Sequence, residues 1–258
     1  MHPVKIMFFD IDGTLVDPAT GKISPKTREA LNRLHQNGML LCISTGRPTA
    51  CLPDLSGLHF DAFCTFNGSL CFTKTQHILS KPIPRKAVRK IIENAAAIGR
   101  PVSIATEHHL GANGWDDDLA EYYRLAGQQL TVSEDFEAIC REAVYQIMLG
   151  CRREDHPRIL RDAEGVQITF SWDRAADVIP EGSGKANAIL KILEHYRLTP
   201  SQAMAFGDGH NDIQMLQTVG TGVAMGNAPD PVKAIADHVC GPVGDDGIYN
   251  YCVRQGLI

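Results

Sequence analysis

Residues 4–9 form an apolar run, broken only by Lys5, that stops at Asp10. A run without polar alternation reads as a strand buried on both faces of a parallel sheet. A helical pattern follows over residues 25–37. Ser24 suits the N-cap, Pro25 the first helical position and Gly38 the stop. Ala30, Leu31 and Leu34 supply its buried stripe. Residues 39–43 are a second short apolar run. Strand, helix, strand is a βαβ unit, and it demands a parallel sheet with a right-handed crossover.

The rhythm then breaks. From 61 to 80, short apolar runs flank Asn67-Gly68, a tight-turn signal. Pro82 and Pro84 interrupt the chain, a helix is expected over 85–98, and short strands mix with helices as far as 179. Residues 180–184, Pro-Glu-Gly-Ser-Gly, look like a hinge. The first rhythm resumes with a helix over 185–196, a strand over 203–206, a helix over 212–219, a strand over 222–225 and a helix over 231–237. The expected fold is α/β: a Rossmann-like, doubly wound parallel-sheet core formed by residues 1–80 and 181–258, with an inserted α+β cap domain at 81–180. A chain of 258 residues has room for both.

Charge narrows the partners. The net charge is -5, with 25 Lys+Arg against 30 Asp+Glu, so no basic excess draws the chain to nucleic acid or to a membrane surface. No apolar run approaches the ~20 residues that span a bilayer, and the first residues lack a signal-peptide core. The eight cysteines include no C-x-x-C pair and read as buried thiols in a reducing compartment, and the ten histidines show no zinc-ligand spacing. A cytoplasmic protein with a small-molecule substrate and no obligate protein partner is expected.

The polar residues gather at expected strand ends and helix starts, where ligands of open α/β sheets bind. Asp10-Ile11-Asp12-Gly13-Thr14 follows the first strand. Carboxylates two apart in extended chain project to one side and suit Mg²⁺, a hard cation that takes oxygen ligands and bridges to phosphate. Ser44-Thr45-Gly46-Arg47 ends the second strand, where a hydroxyl and the Gly46 N–H can hold a phosphoryl oxygen. Lys185 opens a helix after a Gly-rich turn and offers phosphate a point charge. That turn is no Walker A loop, because Ile179 and Ala186 stand at two of its required positions. Gly207-Asp208-Gly209-His210-Asn211-Asp212 ends a third strand. Each piece alone has a structural reading as a turn or a cap. Their order along the chain is harder to explain structurally.

Together these motifs resemble the haloacid dehalogenase superfamily of phosphatases. Thr45-Gly46-Arg47-Pro48, Asn67-Gly68, Gly184-Lys185 and the segment 222–228 are similar to its Cof-type subfamily, and the resemblance covers nearly the whole chain. It implies that Asp10 is a nucleophile forming an aspartyl-phosphate, and that Asp12 is the general acid and base. It implies that Asp10, the Asp12 carbonyl and Asp208 hold Mg²⁺, that Thr45, Gly46, Lys185 and Asn211 bind or orient phosphate, and that Asp212 supports the metal site from behind. The implied function is removal of phosphate from small metabolites, with sugar phosphates leading and pyridoxal phosphate and flavin mononucleotide open. In the cap, Glu107, His108, His109, Trp115, Trp172, Arg174 and Asp177 could face a substrate, or be core and loop residues. Arg47 could contact substrate or pair with a carboxylate, and His210 could be merely exposed. Two rival readings use similar residues. A sugar phosphomutase would pass the phosphoryl group to a second hydroxyl, and a phospho-aspartate signalling module would keep it. The chain is about twice the length the second needs, and Asp12 is placed to speed hydrolysis.

Overall fold

The computed structural model describes residues 4–125, 127–170 and 173–258. Trp172 lies outside the described residues. The chain divides into two compact units. The first comprises the chain up to Gly46, Pro53–Leu79 and Gly184–Ile258, and the second comprises Arg47–Leu52 and Ser80–Ser183.

Among the described residues, thirteen strands follow one another in the chain. The first five are β1 (Ile6–Phe9), β2 (Leu40–Ser44), β3 (Ala62–Thr65), β4 (Leu70–Phe72) and β5 (His77–Ser80). Next come β6 (Ser103–Thr106), β7 (Leu110–Ala112), β8 (Val144–Gly150), β9 (Val166–Thr169) and β10 (Ala175–Pro180). The last three are β11 (Ala203–Gly207), β12 (Thr221–Ala224) and β13 (His238–Val239).

The first unit holds an eight-stranded sheet in the order β13-β12-β11-β1-β2-β3-β4-β5. From β13 to β3 every pairing is parallel, and β4 returns antiparallel to β3. All four residues of β1 are fully buried, as the apolar run predicts. Ile6 and Phe8 face the helix Lys185–Tyr196 through Ala188, Ile189 and Ile192. Phe9 points the other way and stacks on Phe206 at 5.3 Å, which in turn meets Tyr251 edge-on. Buried apolar side chains such as these contribute roughly 1.5–3 kcal/mol each.

The helix Pro25–Gln36 starts where Ser24 Oγ accepts the Thr27 N–H at 3.1 Å, and it buries Thr27, Ala30, Leu31 and Leu34. The expected helix over 231–237 is shorter and covers only Asp230–Lys233. Asp237 ends the segment, because its carboxylate accepts the Gly222 N–H at 2.7 Å and its own N–H donates to the Gly222 carbonyl at 2.9 Å. Those bonds turn the chain into β13.

The second unit holds a five-stranded antiparallel sheet, β7-β6-β8-β10-β9. Ile104, Ile147, Leu149, Ala176 and Val178 form a core with Val88, Ile91 and Ala95 of the helix Arg85–Ala97. Tyr122 and Tyr123 of the helix Asp117–Leu125 reach Asp177 and Ser103 of the sheet, with oxygens 2.6 Å and 2.5 Å apart. All eight cysteines are free, and seven of them are buried. Among the described residues no helix is long and apolar enough to cross a membrane.

Candidate active site

Parallel register sets the site. Phe9 pairs with both Phe206 and Ile43, so the chains leaving β1, β2 and β11 emerge at one level of the sheet. Asp10, Thr45 and Asp208 follow those strands directly, on its carboxyl edge. Asp10 stays in line through its N–H, which donates to the Phe206 carbonyl at 3.0 Å.

Lys185, at the start of its helix, is almost fully buried. Its Nζ lies 2.6 Å from Asp10 Oδ1 and 2.5 Å from Asp212 Oδ1. Asp212 is fully buried, and its second oxygen accepts the backbone N–H groups of Asp208 at 3.0 Å and Gly209 at 2.9 Å. One carboxylate thus braces the turn after β11 and holds the lysine. Asp208 is held from two sides: Thr14 Oγ1 donates to Oδ1 at 3.0 Å and Asn227 Nδ2 to Oδ2 at 3.2 Å. Gly13 sits at φ +77°, and a Cβ there would overlap the Asp208 carboxylate, so the tight exit from Asp12 requires glycine.

Thr45 is buried, and Asn67 donates its N–H to the Thr45 carbonyl at 3.1 Å. The Asn67 side chain accepts from Asn211 Nδ2 at 3.1 Å, and a Cβ on Gly46 would come within 3.0 Å of the same amide. Phe66 and Asn67 both have positive φ, 52° and 50°, and both are buried. A buried phenylalanine in that region is a backbone outlier of the kind that collects at functional sites. The turn between β3 and β4 is therefore wider than two residues and faces inward, not outward as a surface hairpin would.

The electrostatics are lopsided. Burial pushes the Asp10 carboxyl well above its usual range, Lys185 opposes that, and Asp212, Asp208 and Asp12 add to it. Asp208 is pushed up to about 7, first by burial and then by Asp212, while the Thr14 hydrogen bond and Lys185 oppose the rise. Lys185 is raised because its two carboxylate partners outweigh its burial. Four carboxylates thus face one ammonium. Oxygens of Asp10, Asp208 and Asp212 lie within 4.8 Å of one another. An all-oxygen donor set with excess negative charge fits a hard divalent cation.

The remaining sequence candidates fall elsewhere. Arg47 and Asp177 belong to the second unit. Arg47 Nη1 donates to the Cys51 carbonyl at 2.8 Å, and Asp177 is buried and accepts from Tyr122. His109 lies 2.8 Å from Glu142 in an exposed ion pair, which favours its reading as a loop residue. Arg174 meets Asp118 at 3.4 Å. Trp115 is exposed, as are His108 and His210. Asn227 joins the site without belonging to any of the four motifs. Its amide also donates to the Gly13 carbonyl at 2.9 Å and accepts from Val243 N–H at 2.9 Å. Asn227 lies in the loop three residues past β12, and only the fold brings its amide to Gly13 and Asp208.

Comparison with known proteins agrees with this geometry. A family model described as haloacid dehalogenase-like hydrolase matches residues 7–252. YkrA, a candidate phosphatase of Bacillus subtilis (strain 168), is 34% identical over 257 residues, 98% of each chain. The pyridoxal phosphate phosphatase YbhA of Escherichia coli (strain K12) is 27% identical, covering 96% of this chain and 97% of its own. The solved structure of BT4131, described as a subclass IIB sugar phosphatase, superposes with a TM-score of 0.90 at 33% identity, over 99% of this chain and 100% of that one. With its mostly parallel core sheet, its separate antiparallel sheet and these relatives, the chain belongs to the haloacid dehalogenase-like hydrolases, as a phosphatase of the Cof-type subclass IIB.

Proposed function

We propose that the protein is a Mg²⁺-dependent phosphomonoesterase that acts on small phosphorylated metabolites, sugar phosphates foremost, through a phosphoryl group carried on Asp10. The observation that carries this reading is the Asp10 carboxylate at the rim of the sheet, 2.6 Å from the Lys185 ammonium and adjacent to Asp208. The family implies a divalent metal, and the donor set fits one. Asp10, the Asp12 carbonyl and Asp208 would hold it. Asp212 is better suited to a supporting role, because both its oxygens already serve Lys185 and the two backbone N–H groups. Mg²⁺ when bound supplies positive charge that draws the phosphate dianion to a carboxylate. Without such help, two unit charges ~4 Å apart repel by about 4 kcal/mol at an effective dielectric of 20.

The chain's own residues do the rest. Thr45, the Gly46 N–H, Asn211 and Lys185 fix the phosphoryl oxygens, which is the larger part of catalysis in phosphoryl transfer. A free oxygen of Asp10 attacks phosphorus, and the bond from phosphorus to the leaving oxygen breaks. Asp12 gives that oxygen its proton. The ionised Asp12 then takes a proton from water, whose oxygen attacks the same phosphorus, and phosphate departs with Asp10 restored.

These groups see only the phosphoryl moiety, which all candidate substrates share. Choice among substrates is therefore assigned to the second unit, with Arg47 and Asp177 as contacts. The sugar phosphatase at 33% identity supports sugar phosphates, and the pyridoxal phosphate phosphatase at 27% identity keeps pyridoxal phosphate as a second class. Phosphate release from a panel of phosphorylated metabolites, with Mg²⁺ and with excess chelator, tests the proposal. Release should require Mg²⁺ and be fastest with a hexose or pentose phosphate. Full activity in chelator would overturn the metal assignment, and phosphoryl transfer to a second hydroxyl without net release would overturn hydrolysis.

A further inference from the structure

A second cluster of metal-binding side chains lies on the opposite edge of the same sheet, outside the machinery above. His35 sits in the last turn of the helix Pro25–Gln36, and His59 and Asp61 lie on the segment that leads into β3. The sequence gives no hint of a site, since the histidines stand 24 positions apart and their spacing fits no metal motif. The fold brings them together. The two imidazole rings stack with centroids 4.0 Å apart and planes 17° apart. His59 Nε2 lies 3.2 Å from Asp61 Oδ1. One donor atom from each of the three residues falls within 4.8 Å of the other two.

We propose that His35, His59 and Asp61 form a site for a late first-row divalent cation of the Zn²⁺ class. The geometry argues for it in three ways. First, ligands of a tetrahedral Zn²⁺ at 2.0–2.2 Å stand about 3.4 Å apart, and the His59–Asp61 pair is already near that spacing. His35, the exposed member on the end of a helix, would turn out of the stack so that its ring plane meets that of His59 at the ion. Second, Asp61 is fixed for the task. Its other oxygen accepts the Leu41 N–H at 2.9 Å, its own N–H donates to the Leu41 carbonyl at 2.7 Å, and its carbonyl accepts from Tyr196 Oη at 3.2 Å. Ligating carboxylates are commonly steadied by such bonds. Third, the donor set is selective. Two imidazoles and one carboxylate suit Zn²⁺ and its neighbours and do not suit Mg²⁺, which takes oxygen ligands. The two metal sites of this unit would therefore sort their ions by chemistry.

Position separates the site from catalysis. Asp61 precedes β3 and is bonded to Leu41 near the start of β2, whereas Thr45 follows the end of β2. Four residues of strand are about 13 Å. An ion here would tie the end of a helix to the edge of the sheet, and would act on stability and not on chemistry.

The test is calorimetric titration of the full chain with Zn²⁺ alone as probe, with Mg²⁺ kept in large excess to hold the catalytic carboxylates. A single micromolar site is expected, and His35→Ala and His59→Ala should each weaken it by about tenfold or more. Sub-stoichiometric Co²⁺ should first shift the imidazole C–H signals of His35 and His59 in the proton NMR spectrum, assigned through the same two variants. Both variants should keep wild-type Mg²⁺-dependent hydrolysis of nitrophenyl phosphate, which shows that the fold is intact. Unchanged Zn²⁺ affinity in both variants, affinity no better than millimolar in the wild type, or Co²⁺ shifts confined to other histidines would each overturn the proposal.

Discussion

Asp212→Asn tests whether one carboxylate organises the site without taking part in the chemistry. In the wild type, Oδ1 serves the Lys185 ammonium and Oδ2 serves two backbone N–H groups. Asparagine keeps one acceptor and replaces the other with a donor. If the amide oxygen stays with Lys185, an NH₂ group faces the N–H groups of Asp208 and Gly209. If it turns around, the NH₂ faces an ammonium. Either way donors oppose donors in a fully buried place. Removing one partner of a buried ion pair costs about 3–5 kcal/mol. Lys185 still has Asp10, so the lower end applies, about 3 kcal/mol. For a chain of this size that lowers Tm by roughly 6–12 °C. The turn carrying Asp208 loosens as well, and misplacement by an ångström costs on the order of 10²-fold in rate. Thermal unfolding followed by circular dichroism, and kcat with KM for a good substrate, measure the two effects. The expected pattern is a lower Tm and a lower kcat with little change in KM. A variant with wild-type Tm and wild-type kcat would refute the reasoning that Asp212 braces this site.

Further expectations concern its neighbours. Asp10→Asn should abolish turnover and leave the circular dichroism spectrum unchanged, and wild type quenched in mid-turnover should carry a base-labile phosphoryl group on Asp10, not on a histidine or serine. Asp12→Asn keeps the backbone carbonyl and removes only proton transfer, so kcat should fall on the order of 10²–10⁴-fold. Single-turnover assays should show a smaller loss for nitrophenyl phosphate, whose leaving group needs no proton. Gly13→Ala should inactivate, because its Cβ would overlap the Asp208 carboxylate and its φ of +77° disfavours a side chain. Wild-type rates in that variant would show that the turn can relax without moving Asp208.

Much of this arrangement is visible in the sequence because strand ends are visible there. Asp10, Thr45 and Asp208 each terminate an apolar run, and a parallel sheet must place such termini along one edge. Lys185 announces itself by opening a helix after glycines. What stays hidden depends on who neighbours whom. Asn67 reads as a surface turn residue until β3 is seen beside β2, where its N–H reaches the Thr45 carbonyl. Asn227 reads as part of a loop until the fold brings Gly13 and Asp208 within reach of its amide. The grouping of Arg47–Leu52 with the second unit has no compositional signal at all. The helix near 231 shortens because Asp237 is captured by Gly222, a contact fixed by strand order and not by helix propensity.

The place of β1 between β2 and β11 sets the order in which the protein can be made. Ile6 and its partner Ala203 are about 200 positions apart. At about 5–20 residues per second, a ribosome needs roughly 10–40 s to span that gap. Throughout that wait one edge of the most apolar strand in the core has no β11 to pair with, and an open edge of that kind is a site for wrong partners. The whole sheet of the second unit lies within residues 103–180, so its pairings can close while the nascent core is still waiting. The sheet of the second unit can thus close before the carboxylate cluster of the first, whose earliest member, Asp10, is made early and whose latest, Asp212, is made late.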